Sequence, residues 1–175
     1  MEEKKIFFTA DHHFGHKNII KLADRPFLSL DEMDETMITK WNLSVDVLDD
    51  VYHLGDFGFK TPKRKLNEIL IRLNGQKYLI KGNHDKDKLD GFYKEHFHWI
   101  KHYQDLDIDG KRIILFHYPI QSWGGMHRGA WHLHGHCHGK LTPKAGSLDV
   151  GVDVHKFEPV EINELKNLIV NRKND

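Results

Sequence analysis

The ten residues WHLHGHCHGK, Trp131 to Lys140, place histidine at 132, 134, 136 and 138. In extended backbone every second side chain points to the same face, so this spacing would line four imidazoles along one side. Two readings compete: a metal site fed by a strand end, or a histidine-rich surface strand. The rest of the chain decides between them. Histidine makes up 15 of 175 residues, scattered beside Asp, Asn and Gly rather than gathered in a terminal run as in a tag. Imidazole is the commonest metal ligand and titrates near neutrality.

Composition narrows the classes. A chain of 175 residues has the size of one domain, expected here to span 1–175, and 39% hydrophobic residues suffice for one core. The 26 basic and 26 acidic side chains cancel. That argues against a general polyanion or membrane-surface binder and against an obligate nucleic-acid partner. Cys137 is the single cysteine, so no intrachain disulfide can form, which fits a reducing compartment. MEEKKIFFTAD has no signal-peptide core, and no stretch approaches the roughly 20 apolar residues a membrane span needs. A soluble, cytoplasmic protein is expected.

The pattern of elements alternates and then turns strand-rich. KKIFFTAD reads as a buried strand ending at Asp11, and DVYHLGD as a second ending at Gly55-Asp56. Between them, LSLDEMDETMITKWN reads as a helix with Ser29 as its cap, Glu32 three residues on, and Leu30, Met33, Met37 and Trp41 on one face. TPKRKLNEILIRLNG reads as a helix with Thr61 as N-cap and Pro62 in its first position, stopped by Asn74-Gly75. KYLIKGNHD is a third strand, with a short helix expected near Lys86 to His96. WIKHYQDLDIDGKRIILFHYP is a hairpin turning at Asp109-Gly110. HLHGHCH and GSLDVGVDV are further strands, and EINELKNLIV closes the chain as a helix. This predicts a mixed α/β domain with helices packed outside the sheets. Five strands end in polar residues: Asp11, Asp56, Asn83-His84-Asp85, His117, and His136-x-His138. Strand ends along one sheet edge can bring such residues into one crevice.

Taken singly, these motifs are weak. Asp11 and His13 would point the same way from a strand end and offer one oxygen and one nitrogen to a cation. His12 points elsewhere. Asp56, among glycines in LGDFG, has two carboxylate oxygens and can bridge two cations. In KGNHDK, Asn83 offers an amide oxygen, His84 an acid–base group, and Asp85 a carboxylate that can orient an imidazole. Together they make a mixed nitrogen and oxygen set with no thiolate cage, which argues against a structural zinc knot. Such a set suits manganese, iron, nickel, cobalt or zinc better than magnesium alone. Seven ligands exceed one tetrahedral ion but suit two ions sharing Asp56. Two divalent ions carry +4, which Asp11, Asp56, a hydroxide and a phosphodiester monoanion would neutralise. Water on such ions ionises near neutral pH and supplies a nucleophile.

The order Asp-x-His, Gly-Asp, Gly-Asn-His-Asp, His, Gly-His-x-His resembles the calcineurin-like metallophosphoesterase superfamily. ADHHFGHKNII, DRPF, WHLHGHCHG, and GVDV with EPVEINEL further resemble a compact bacterial and phage branch. The resemblance runs from about Phe8 to Leu165. It implies an α/β fold of two packed mixed β-sheets flanked by helices in a four-layer sandwich. It implies Asp11, His13 and His138 at one metal, Asn83, His117 and His136 at the other, and Asp56 between them. Two divalent transition-metal ions follow, with manganese favoured. His84 matches the residue that touches the phosphate and protonates the leaving oxygen, and Asp85 its partner. The implied reaction is in-line attack of a metal-bridging hydroxide on phosphorus.

The substrate is less legible. The chain carries no insertion large enough for a cap, so the site is open or covered only by YPIQSWGGMHRGAW, 118–131. There Trp123 and Arg128 are candidates to stack a base and hold a phosphate. Arg25 is a further phosphate candidate, as is Lys81, beside Asn83 and His84. A phosphodiesterase acting on a small nucleotide or cyclic-nucleotide substrate is favoured. A phosphomonoesterase, a nuclease of the same fold and a non-catalytic metal-binding scaffold are the alternatives.

Overall fold

A computed structural model describes residues 4–142 and 144–171 of the chain. The reading of the first residues for a leader falls partly on residues 1–3, outside those described. Strands β1 (Ile6–Thr9), β2 (Asp50–His53), β3 (Gln76–Ile80) and β4 (Ile100–Lys101) lie parallel in one sheet, and β9 (Val160–Glu161) joins antiparallel, in the order β4-β3-β2-β1-β9. The second sheet runs β5 (Tyr103–Ile108), β6 (Lys111–Phe116), β7 (Trp131–His134) and β8 (Ser147–Asp149). Its β5–β6 pair is the expected hairpin. Asp109 and Gly110 both have positive φ, as a tight two-residue turn that keeps the strand twist requires.

Each parallel step in the first sheet is made by a helical crossover: α1 (Ile19–Leu22) and α2 (Leu30–Ser44), then α3 (Lys63–Leu70), then α4 (Asp90–Tyr93). The Ser29 hydroxyl accepts from the Glu32 amide at 3.1 Å, while Glu32 reaches back to the Leu28 amide at 2.7 Å. A cap of this kind stabilises a helix start by about 1 kcal/mol. Met33, Met37 and Trp41 fall on one stripe of α2 and are fully buried with Phe7, Val51, Leu66, Ile69 and Leu79 between helices and sheet. Phe8, Leu54, Ile80, Ile113, Leu115, Leu133, Leu148 and Leu165 fill the space between the two sheets. The adjacent Phe7 and Phe8 therefore serve opposite faces of β1, as the pleat demands.

Three details depart from expectation. Helix α3 starts at Lys63 with Pro62 in the cap position, and the Thr61 hydroxyl donates instead to the Phe14 carbonyl at 2.6 Å. A two-residue strand, β4, precedes the hairpin and pairs in the other sheet. The loop after β6, the candidate cover for the site, packs instead through Trp123 and Ala130 on Ile114 at the outer face of the second sheet. Helix α5 (Ile162–Asn171) packs at the sandwich edge beside β9 and β1. Among the described residues no helix is long and apolar enough to cross a membrane.

Candidate metal centre

The C-terminal ends of β1, β2 and β3 in one sheet and of β6 and β7 in the other converge, and they bring the sequence motifs together. Asp11, His13 and His138 place ligand atoms within 4.8 Å of one another, as do Asp56, His117 and His136, and likewise His13, Asp56 and His84. The Asp56 Oδ2 atom lies 3.6 Å from His13 Nε2 and 3.6 Å from His117 Nε2, between the two outer groups. Asn83 Oδ1 lies 3.0 Å from both His117 Nε2 and His136 Nδ1.

The way the backbone presents these side chains differs from the extended-strand expectation. Asp11 (φ 60°), His13 (φ 53°), Asp56 (φ 57°), His136 (φ 70°) and His138 (φ 49°) are all left-handed. The alternation of histidines stops with β7 at His134, and His136 and His138 sit on a turn. Each such residue costs about 1–2 kcal/mol of backbone strain, which surrounding bonds must offset. A ladder supplies part of it: the Asp11, His13 and Phe14 amides donate to the Gly55, Asp56 and Phe57 carbonyls at 2.9, 3.0 and 2.9 Å. The His136 amide donates to Asp11 Oδ2 at 2.8 Å, tying the two sheets' ligand loops together. Two glycines permit the close approach. A Cβ on Gly82 would stand 2.2 Å from Asp56 Oδ1, and one on Gly135 would stand 2.5 Å from Asp11 Oδ2.

The residues fit a cation. Asp11 Oδ1 and both ring nitrogens of His13 are buried with no hydrogen-bond partner, an arrangement that costs free energy unless something else binds them. His117 Nδ1 meets the Leu54 carbonyl at 2.7 Å and so carries the proton, which leaves the Nε2 lone pair facing Asn83 Oδ1 with no proton between them. Burial, then repulsion from Asp56 and Asp149, pushes the Asp11 carboxyl well above the usual range, while burial pushes His13 and His117 down. Two buried carboxylates converging with several imidazoles are the donor set of a hard-to-borderline divalent ion.

His84 stands at the mouth, 29% exposed, with Nε2 3.8 Å from Asp56 Oδ2 and its ring edge-on to Phe59 and His13. Burial lowers its pKa and Asp56 partly offsets this. Asp85 does not touch the His84 ring, contrary to the expectation that it orients that imidazole. It is buried and accepts from the Asp56, Gly82 and Phe57 amides at 2.7, 2.9 and 3.2 Å. It therefore staples the Asp56 loop to the Asn83-His84 loop.

The three expected substrate contacts outside the motifs go elsewhere. Arg25 is buried, its guanidinium bound to Asp153 and to the Asp11 and His12 carbonyls, because an unpaired buried cation would be costly. Trp123 is packed in the outer loop with its indole N–H donated to the Ala130 carbonyl at 2.8 Å. Arg128 is exposed beside Gly110, Lys111 and Arg112, at the start of β6, whereas His117 follows that strand's far end. Five residues of strand put roughly 17 Å between them. Lys81 is likewise spent on Asp87 and Asp90. The aromatic side chain of the 118–131 loop that does reach the site is Tyr118, whose ring lies 4.7 Å from that of His136 and 4.9 Å from that of His117.

Two supporting groups complete the centre, His12 in the structural role its outward position implied and Asp153, which the sequence reading missed. His12 Nδ1 meets His53 Nε2 at 3.0 Å in a fully buried pair against Phe14, Phe57 and Trp41. Only the position of His12, pointing away from Asp11 and His13, hinted at it. Asp153, in the GVDV stretch, binds His138 Nδ1 at 2.7 Å. Burial would raise its carboxyl, but bonds from His138 and Arg25 outweigh that and hold it below the usual range.

Ordered Asp, His and Asn motifs thus converge at one edge of two packed mixed sheets, the arrangement that the resemblance to calcineurin-like metallophosphoesterases implies. The chain belongs to the same family as the uncharacterized protein MJ1445 of Methanocaldococcus jannaschii, to which it is 35% identical over 177 residues, covering 97% of this chain and 93% of that one. No protein-family model matches the chain. The crystal structure of AQ665 from Aquifex aeolicus, a protein of unknown function, superposes with a TM-score of 0.76 at 27% identity, covering 95% of this chain and all of that one (100%). A novel archaeal phosphodiesterase is more distant, with a TM-score of 0.48, 18% identity, and coverage of 90% and 98%. A likeness that distant carries no activity across.

Proposed function

We propose that this chain is a metal-dependent phosphoester hydrolase, and that small phosphodiesters of nucleotide or cyclic-nucleotide type are its substrates ahead of monoesters. One observation carries the reading: ligand groups from both sheets flank Asp56, Asp11 Oδ1 and both His13 ring nitrogens lack hydrogen-bond partners, and His84 stands at the open side. Asp11, His13 and His138 would hold one divalent ion, Asn83, His117 and His136 another, and Asp56 would touch both. Manganese is favoured by the resemblance, and iron, nickel, cobalt and zinc also suit a mixed carboxylate and imidazole set. Bound there, such ions would polarise a phosphoryl oxygen and activate water. The chain's own part is to bring these donors together, to set Asp56 between the two groups, and to offer a proton from His84 to the leaving oxygen. Two divalent ions less two carboxylates leave a net charge of +2, which draws an anionic ester. Asn83 and His84 line the position the phosphate would take. Tyr118 and Phe59, flanking the mouth, supply faces on which a base can stack. The single cysteine supports a reducing, cytoplasmic setting.

The test is hydrolysis of bis-p-nitrophenyl phosphate by metal-stripped protein with manganese restored. Turnover is expected, and His84→Asn should lower kcat by about 10²–10⁴ with metal content unchanged. No turnover of this diester with manganese, nickel or zinc would move the reading to monoesters. Failure there as well would leave a metal-binding scaffold.

A further inference from the structure

Two stretches that mark the compact branch, DRPF and GVDV, have no part in the chemistry above, yet they meet in space. Arg25 of the first donates from Nε to Asp153 Oδ1 at 2.8 Å and from Nη2 to Asp153 Oδ2 at 2.9 Å. Its remaining donors go to the Asp11 carbonyl at 2.6 Å, the His12 carbonyl at 2.9 Å and Met33 Sδ at 3.5 Å. All five N–H groups of the fork are thereby used. Asp153 Oδ2 also receives His138 Nδ1 at 2.7 Å. A carboxylate only accepts, so the His138 proton sits on Nδ1 and the Nε2 lone pair is left free.

We infer that Arg25 and Asp153 are positioning residues for a single metal site, the one made by Asp11, His13 and His138. Asp153 fixes the ring orientation and tautomer of His138. Arg25 anchors Asp153 and, through the two carbonyls, holds the left-handed backbone that presents Asp11 and His13. One buried ion pair thus sets all three ligands of that group, and it contacts none of Asn83, His117 or His136. Partners of this kind typically change metal affinity by about 10–100-fold. The inference rests on the metal reading of the centre, and its test separates the two.

The experiment uses ¹⁵N-labelled full-length protein, stripped of metal, at about pH 8.5, where histidines are ordinarily neutral. Long-range ¹H–¹⁵N correlation should show His138 as the Nδ1–H tautomer, and Asp153→Ala should turn it into a mixture. Zn²⁺ titration is then followed on the imidazole signals of His13 and His138 against those of His117 and His136. The first pair should require about 10–100-fold more zinc in Asp153→Ala, and the second pair should move within about threefold of wild type. If the alanine variant does not fold, Asp153→Asn keeps the shape and replaces the carboxylate by a weaker acceptor, and a selective loss at the first pair is still expected. An Nε2–H tautomer of His138 in the wild type overturns the inference. So does an equal loss at both pairs, or no loss at either, in the folded variant. A wild-type protein that binds no zinc would refute the metal reading instead, and the tautomer measurement would still decide the role of Asp153.

Discussion

Asp85 offers the sharpest separation of structural from chemical roles. Its carboxylate receives three buried amides, two on Oδ2 and one on Oδ1, and no contact joins it to the His84 ring. Each buried N–H left without an acceptor costs roughly 1–3 kcal/mol. Three such losses in Asp85→Ala add to about 3–9 kcal/mol. Removing a fully desolvated carboxyl, itself pushed up to about 7 chiefly by burial, returns part of that. The expected net loss is about 3 kcal/mol for Asp85→Ala. In Asp85→Asn an amide replaces one oxygen and a single bond is lost, so about 1–2 kcal/mol is expected. Urea unfolding in the presence of a chelator measures this without any contribution from metal. Should Asp85→Asn keep full stability yet lose diesterase activity with metals bound, the carboxylate acts on the chemistry and the stapling argument is wrong.

Other expectations follow from single contacts. His132 is buried, with its pKa pushed down to about 4 mainly by desolvation. The folded state therefore binds fewer protons than the unfolded chain between about pH 6.5 and 4, and the stability it contributes above pH 6.5 is lost as pH falls through that window, up to about 3 kcal/mol. Asp85 acts with the opposite sign over much of that range, so the readout is the unfolding free energy of wild type minus that of His132→Asn, which should shrink on acidification; a difference independent of pH would contradict it. Gly82→Ala drives a Cβ into Asp56 Oδ1 and the Asp56 amide, and should weaken metal binding by on the order of tenfold or more in a calorimetric titration. Arg128→Ala, at the far end of β6, should leave kcat/KM within about twofold, and a larger drop would return Arg128 to the substrate site. Trp41→Ala, a fully buried side chain under the first sheet, should cost about 3–5 kcal/mol by chemical denaturation.

The ligand identities were legible because each motif carries its own chemistry: a carboxylate, an amide or an imidazole beside the glycines that let backbones close in. Their presentation was not. Left-handed Asp11, His13, Asp56, His136 and His138 carry no sequence mark of that backbone, and alternation past His134 looked like continued strand. Long amphipathic segments such as the Met33, Met37, Trp41 stripe announced their helices through periodicity. Strands β4 and β9, two residues each, are too short to show a period. Arg25 was misplaced for a different reason. Its counter-ion is 128 residues away, and nothing local distinguishes a buried arginine from one that meets a phosphate. Asp85 misled because adjacency to His84 in sequence is not contact in space.

The pairing of β9 with β1, Phe7 opposite Glu161 and Phe8 opposite Val160, has a consequence for how the molecule is made. Strand β1 is made with an Ile-Phe-Phe-Thr edge whose outer neighbour is encoded about 150 residues later. Until that neighbour arrives, a hydrophobic ribbon with unpaired amides and carbonyls is open to any extended peptide nearby. Truncation before Val160 would leave the same edge permanently bare, and such chains should be captured by chaperones or precipitate even though every metal ligand is present.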